Sequence, residues 1–349
     1  GASTLPEFRQ QGIQTALLEA PVGSGQFSKV AMVNTGSGLR FTVAIDRGGD
    51  IVEASYNQHN LTFLTPNGYK QPSHAYHLRP LDWLYSWPGG LVTTCGPQYM
   101  GHPRHEDGQD VTLHGHHSNT PAAVEMIINP DPARDRHEML LSMVIRDARM
   151  FGPTVEVRRQ IQCALGVPEI VLYDQVTNRG NAKCAHHMLY HVNFGYPLLD
   201  KGTRFIYSGK AGFHPAERKV TDAYLNKLKR ATDALPDHTG PGEHALIIDP
   251  KAGHVGLIND KLNLGVELEY EKAALPRLVN WQHFGPAGSY ATGIEPFSGS
   301  LFGKARDDHP QAEQYLKPGE TKRYRLHLRV LTTKQELTAL KKHDGPVKQ

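Results

Sequence analysis

Long stretches in which apolar and polar residues alternate constrain this chain more than any other feature. Leu39, Phe41, Val43 and Ile45 are interleaved with Arg40, Thr42 and Ala44. Val155, Val157, Ile161, Cys163 and Leu165 alternate around Glu156, Arg158 and Gln162. Leu262, Leu264, Val266, Leu268 and Tyr270 are separated by Asn263, Gly265, Glu267 and Glu269, and Tyr324, Leu326, Leu328 and Val330 repeat the pattern. Side chains two residues apart share a face only in a strand, so each stretch predicts a strand with one buried face. Turn chemistry separates them, as in Asn178-Arg179-Gly180-Asn181 and Pro318-Gly319-Glu320, and Asn259-Asp260-Lys261 reads as a hairpin tip.

Helix signals are few. Thr333-Lys334-Gln335-Glu336 is a capping box that opens Leu337-Thr338-Ala339-Leu340. From Glu217 to Leu235, Val220, Tyr224 and Leu228 recur at helical spacing. The pattern predicts an all-β chain, a large antiparallel β-sandwich with few short helices. Its 349 residues are read as one domain, with a core over about 25–331 and a C-terminal helix and poorly ordered tail over 332–349. Segments rich in Pro, His and Gly between Pro66 and Pro121 read as long loops, where function tends to concentrate.

Composition narrows the partners. Lys and Arg number 38 against 35 Asp and Glu, a net charge of +3 with no basic stripe interleaved with aromatics, so nucleic acid is not an expected partner. No apolar run approaches the ~20 residues of a membrane span. Cys95, Cys163 and Cys184 are far apart and contain no C-x-x-C, which reads as free thiols in a reducing compartment. The N-terminal Gly1-Ala2-Ser3-Thr4-Leu5-Pro6 lacks a charged start followed by an apolar stretch, and a cytoplasmic location is expected.

Three separated motifs carry proton-handling side chains in otherwise neutral surroundings. They are Leu113-His114-Gly115, Tyr190-His191-Val192-Asn193-Phe194-Gly195-Tyr196-Pro197 and Gly293-Ile294-Glu295-Pro296. Histidine titrates near neutrality, and a glutamate raised by burial makes a general base, so the trio suits acid–base chemistry without a redox cofactor. On local sequence alone, His114 reads as a strand-end histidine bonded to a carbonyl, and His191 fits a satisfied core histidine as well as a catalytic one. Glu295 is the sharpest of the three, because an unpaired carboxylate among apolar residues is costly.

In their order and context these motifs resemble aldose 1-epimerases, the galactose mutarotase-like proteins. Asp46-Arg47-Gly48-Gly49-Asp50-Ile51, Pro88-Gly89-Gly90-Leu91-Val92-Thr93-Thr94-Cys95-Gly96 and the run from His191 to Asp200 are similar to a less characterised branch of that family. The resemblance covers roughly residues 36–331. It implies a mutarotase-like sandwich, a small-molecule carbohydrate as ligand and no organic cofactor. It also implies that Glu295 takes the anomeric hydroxyl proton, that His191 protonates the ring oxygen, and that His114 helps hold that region. Arg79, Asn193, Trp281, Gln282 and Trp83 are the candidate sugar contacts, and Trp87 is also available. The chain departs from typical mutarotases in two ways. The arginine expected ahead of the first histidine has two candidates, Arg79 and Arg47, and the aspartate expected between His191 and Glu295 has none. In addition, His191-Val192-Asn193-Phe194 stands where a His-Ser-Tyr-Phe type run is usual.

Two other readings compete. Gly108-x5-His114-x-His116 opens like a cupin metal motif, in which H-x-H on a strand puts two imidazoles on one face, with His186, His187 and His191 as further ligands. The glutamate that should follow is missing, because Asn119, Thr120, Pro121 and Ala122 fill the interval. A non-catalytic carbohydrate-binding sandwich would use the tryptophans but would need neither His191 nor Glu295. No dinucleotide-binding or P-loop motif is present.

Overall fold

Alternation in the sequence becomes sidedness in the strands. Glu169–Asn178 buries every second residue, and Thr321–Leu331 buries Tyr324, Leu326, Leu328 and Val330. The computed structural model describes residues 11–19, 27–214, 220–237, 243–286 and 288–349. Within them two large sheets face each other. The eight-stranded sheet runs Arg204–Ile206, His254–Asn259, Leu264–Tyr270, Thr321–Leu331, Glu169–Asn178, Thr154–Ala164, Glu138–Ala148, Ala122–Ile128, with all neighbours antiparallel. The other sheet has twelve strands, and its centre runs Asp50–Tyr56, Val92–Cys95, Met188–Phe194, Tyr290–Ser298, Arg277–Phe284, Glu243–Pro250. Between the sheets, Leu141, Ile161, Leu172 and Leu326 pack with Phe41, Ile51, Tyr190, Val192, Phe194 and Ile294 in one apolar cluster. Among the described residues no helix is long and apolar enough to cross a membrane.

The centre of the larger sheet breaks the alternating rule in an informative way. Met188–Phe194 is buried at every position. Tyr190, Val192 and Phe194 enter the core, while His191 and Asn193 point to the outer face, which the segment between Pro66 and Pro121 covers. That segment is less loop-like than its composition suggests. It forms 3-10 turns at His74–His77, Asp82–Tyr85 and His117–Asn119, the central strand Val92–Cys95, and a small hairpin of Arg104–Glu106 with Gln109–Val111.

The C-terminal capping box forms as expected, with Thr333 and Glu336 bonding each other's backbone at the head of the helix Lys334–Lys341. Two expectations need correction. The helical periodicity from Glu217 yields only Asp222–Lys227, capped by Thr221; residues 217–219 lie outside the described residues. Beyond it the chain extends and Arg230 bridges to Arg204, so backbone pairing with the sheet edge replaces further helix. The tail after Lys341 is ordered rather than loose. Val347–Lys348 adds a parallel strand beside Gly209–His214, Val347 is fully buried, and the Asn226 side chain bonds both backbone groups of Val347.

A buried ion network joins the sheets. The Arg159 guanidinium, with no exposure, donates to Asp174 (2.8 and 2.7 Å), Asp50 (2.9 Å) and Thr94 Oγ1 (2.7 Å), and the Tyr190 hydroxyl donates to Asp174 (2.7 Å). Asp50 lies on the larger sheet and Arg159 and Asp174 on the smaller, so the cation couples them. Burial pushes the Asp50 carboxyl up to about 6 even though Arg159 opposes the shift. Removing one partner from such a network strands the others unpaired. Arg159→Met should therefore lower unfolding free energy by about 3–5 kcal/mol in urea titrations, and a change within measurement error would show that the network contributes nothing net.

Candidate active site

The register that pairs Val192 with Ile294 and Asn193 with Gly293 places His191 opposite Glu295 on the outer face of the larger sheet. His191 Nε2 lies 3.2 Å from Glu295 Oε1. The contact has ion-pair distance but not hydrogen-bond alignment, so Oε1 is buried without a hydrogen-bond partner. Glycine makes the arrangement possible: a Cβ on Gly293 would sit 2.2 Å from Oε1, the space into which the carboxylate folds back.

Asn193 sets the imidazole's tautomer. Its amide nitrogen donates to the carbonyls of Gly90 (2.9 Å) and His191 (2.9 Å), which fixes Oδ1 toward His191 Nδ1. Nδ1 therefore carries the proton in the neutral ring, and the lone pair on Nε2 faces Glu295. The Asn193 amide, expected to contact sugar, is engaged within the protein, with His191 and Gly90.

His114 reaches the pair from the covering segment. It adopts φ 61°, a left-handed conformation uncommon for histidine, and its backbone is pinned by bonds to Gly101 and Gly96. The following Gly115 is also left-handed, and a Cβ there would lie 2.2 Å from the Tyr99 carbonyl. The turn aims the His114 ring edge-on at His191, with centroids 5.7 Å apart, and leaves His114 Nδ1 buried without a partner. His116, two residues on, turns the other way. It packs on His77 (4.4 Å) and approaches Asp147 (3.5 Å), so His114 and His116 do not form the H-x-H chelate of the cupin reading. Nor do His186 and His187 join His114. The former bonds the Pro97 carbonyl and the Tyr324 hydroxyl, and the latter accepts from the Ser300 amide.

Indole rings wall the pair. Trp87 lies 5.3 Å from His191 and Trp281 lies 5.5 Å from it, with 6.0 Å between the two indoles. Trp83 stacks behind Trp87 (5.1 Å) and meets His114 edge-on (4.7 Å). All three indole nitrogens are satisfied within the protein, by Ser118, Thr93 and Glu243. These walls therefore offer ring faces rather than donors, and Trp83, fully buried, backs the wall. Two further sequence candidates stand outside the group. Arg79 has a side chain 75% exposed and bonded to Asp82. Gln282, adjacent to Trp281, points to the opposite face and bonds Asn280 and the Leu228 carbonyl. Arg47, the alternative arginine, is buried against Asn119 and Ser86. Glu243 was not foreseen: only tertiary pairing of Glu243–Pro250 with Arg277–Phe284 brings it to Trp281.

Electrostatics push each member of the pair toward neutrality. Burial, then the nearby Glu243 carboxylate, holds the Glu295 carboxyl well above the usual carboxylate range. Burial lowers His191 to about 4, opposed by its bond to Asn193. Burial, followed by the charges of His191 and His102, holds His114 well below its ordinary value. Burial thus favours one transferable proton shared by the pair beside a neutral His114. A cavity of about 500 Å³ lies on the far side of the His114–His116 turn, lined by His77, Gln98, Thr112, His116 and Asp147. It holds neither His191 nor Glu295.

Comparison with curated protein sequences gives no match. Among solved structures, a protein described as a "putative aldose 1-epimerase" from Klebsiella pneumoniae subsp. pneumoniae MGH 78578 superposes with a TM-score of 0.82 at 21% identity, over 98% of this chain and 91% of its own. A galactose mutarotase-like protein from Clostridium acetobutylicum gives 0.60 at 14% identity, over 93% and 99% of the two chains. A galactose 1-epimerase from Lactobacillus acidophilus NCFM gives 0.56 at 9% identity, over 91% and 99%. At such identities the likeness establishes the fold, a galactose mutarotase-like sandwich. A family profile described as "Domain of unknown function (DUF4432)" matches residues 25–330, and the chain belongs to that family.

Proposed function

We propose that the chain is an aldose 1-epimerase-like enzyme that interconverts the anomers of a free sugar or sugar derivative by acid–base ring opening. The observation that carries this reading is a pair of buried, unpartnered polar atoms, Glu295 Oε1 and His114 Nδ1, on either side of His191 within indole walls. Buried polar groups without partners are rare and call for a ligand. Indole faces suit the apolar C–H face of a sugar, and the orphaned atoms suit its oxygens.

The shared proton accounts for both directions of the reaction. For opening, the proton sits on His191 Nε2 and Glu295 is a carboxylate. Glu295 takes the anomeric hydroxyl proton, the C1–ring-oxygen bond breaks with its electron pair going to the ring oxygen, and His191 protonates that oxygen. The pair is then a carboxylic acid and a neutral imidazole, the form that burial favours. After rotation about C1–C2, Glu295 returns its proton to the carbonyl oxygen and His191 takes one from the attacking hydroxyl. The net charge of the buried pair stays zero throughout, while burial favours the carboxylic acid–imidazole form over the ion pair that begins ring opening. Glu295 is 3% and His191 5% exposed, so a sugar reaches them only after the surrounding side chains move.

Exchange NMR between anomer signals, run over a panel of neutral aldoses, tests the proposal. At least one sugar should show anomer exchange accelerated in proportion to protein concentration. Sugar binding without acceleration of any sugar bound would favour the non-catalytic sandwich instead.

A further inference from the structure

We propose a divalent transition-metal site at His254, Glu267 and His343, on the outer face of the eight-stranded sheet and remote in function from the sugar pair. His254 opens the strand His254–Asn259, and Glu267 lies on the neighbouring strand Leu264–Tyr270. The register sets Glu267 opposite Gly256, where a Cβ would lie 2.2 Å from the Val266 carbonyl oxygen and 3.1 Å from the Glu267 Cα. His254 Nδ1 and Glu267 Oε1 are 3.2 Å apart. His343 follows the helix Lys334–Lys341 and stacks on His254, with centroids 4.6 Å apart and rings within 8° of parallel. One ligand atom from each residue lies within 4.8 Å of the others, the one such grouping among the described residues.

The donor set and spacing suit a metal of the zinc class. Two imidazoles and a carboxylate are borderline ligands that favour zinc, cobalt or nickel over calcium or magnesium. Tetrahedral bonds of ~2.1 Å require donor atoms ~3.4 Å apart. The His254–Glu267 pair already has that spacing. Because the two imidazoles are stacked nearly parallel, one must turn out of the stack for both lone pairs to meet one ion, and His343, half-buried just beyond the helix, is the one placed to do so. Glu267 is 4% exposed, and its second oxygen is held by Arg329, which would orient the carboxylate and leave Oε1 free to ligate. Ligation through His254 Nδ1 would replace its hydrogen bond to Glu267 Oε1. The metal would clasp the C-terminal segment onto the eight-stranded sheet, while Val347–Lys348 pairs with the other sheet, so one short segment would tie both.

The test uses the full chain stripped of metal and titrated with Zn²⁺ alone by calorimetry, with Co²⁺ absorption as a check on geometry. One tight equivalent is expected, together with a rise in thermal midpoint. His343→Ala, at a half-buried position that should not compromise folding, should weaken that equivalent by at least ~10-fold and remove the thermal shift. His254→Ala should do the same, while Glu295→Gln leaves Zn²⁺ binding unchanged. The absence of a tight equivalent in the wild type would overturn the proposal, as would equal binding by wild type and His343→Ala, which would indicate scattered coordination by the chain's 20 histidines.

Discussion

Replacing Glu295 with glutamine should leave sugar binding and folding intact while anomer exchange falls by about 10²–10⁴-fold. The substitution is nearly isosteric with the neutral carboxyl that burial favours, so little packing energy is at stake. What it removes is the proton-exchanging oxygen 3.2 Å from His191 Nε2. The loss should therefore fall on kcat rather than KM, as expected for an interaction realised in the transition state. His191→Asn should behave alike, and the double variant should be little worse than either single one, because one shared proton serves both residues. On the acid side activity should fall as both groups become protonated, in addition to any loss from acid unfolding, and on the alkaline side as both become deprotonated above the raised Glu295 value. Wild-type exchange rates in Glu295→Gln, on a sugar that the parent protein clearly accelerates, would rule out the mechanism.

Acid should unfold this protein at an unusually high pH. His117, His186, His187 and His191 are almost fully buried, and burial lowers the first three to about 3 and the last to about 4. His187 cannot gain a proton without losing a bond, because its Nδ1 accepts from the Ser300 amide. Each folded pKa lies below the unfolded value of ~6.5, so the unfolded chain binds more protons in between. Their contribution to stability is complete above that pH and is lost as pH falls toward 4. At pH 5 each group costs about 2 kcal/mol and the four on the order of 8 kcal/mol, comparable with the whole stability of a typical domain. Asp50 and Glu295 act with opposite sign, since raised carboxyls regain stability as they protonate, and they offset part of the loss. Urea unfolding followed between pH 7 and 5 should show a steep fall in stability, with His117→Gln reducing the slope by up to ~1.4 kcal/mol per pH unit. A stability unchanged across that interval would contradict the assignment of these histidines as neutral core residues.

The site was legible where chemistry coincides with strand periodicity. His191 and Asn193 alternate with Tyr190, Val192 and Phe194, and Glu295 is two residues from Gly293 and from Phe297. Polar residues recurring at alternate positions of an otherwise apolar strand point to a covered outer face, because they cannot enter the core unpaired. What misled was residue type taken without its side of the sheet. Gln282 and Trp281 are neighbours, yet the strand sends them to opposite faces, so only Trp281 meets His191. Arg79 stood at a plausible distance ahead of His114, but its guanidinium is held by Asp82 near solvent. The tail read as disordered from its Lys and Gly content, whereas pairing with a distant strand orders it.

The sequence alone determined the strands, their buried faces, the C-terminal capping box and the three polar motifs, because each follows from interactions within a few residues or from a period of two. Partners across sheets were decided only by the tertiary structure. The Arg159 network joins Asp50, Thr94 and Asp174 from separate strands, and no local pattern specifies that company. The same holds for the tautomer of His191, set by an amide that Gly90 fixes, and for the elevated carboxyl of Glu295, set by its burial and the nearby Glu243. Desolvation and orientation depend on which surfaces meet, and that is settled when the chain closes on itself rather than by the order of its residues along a strand.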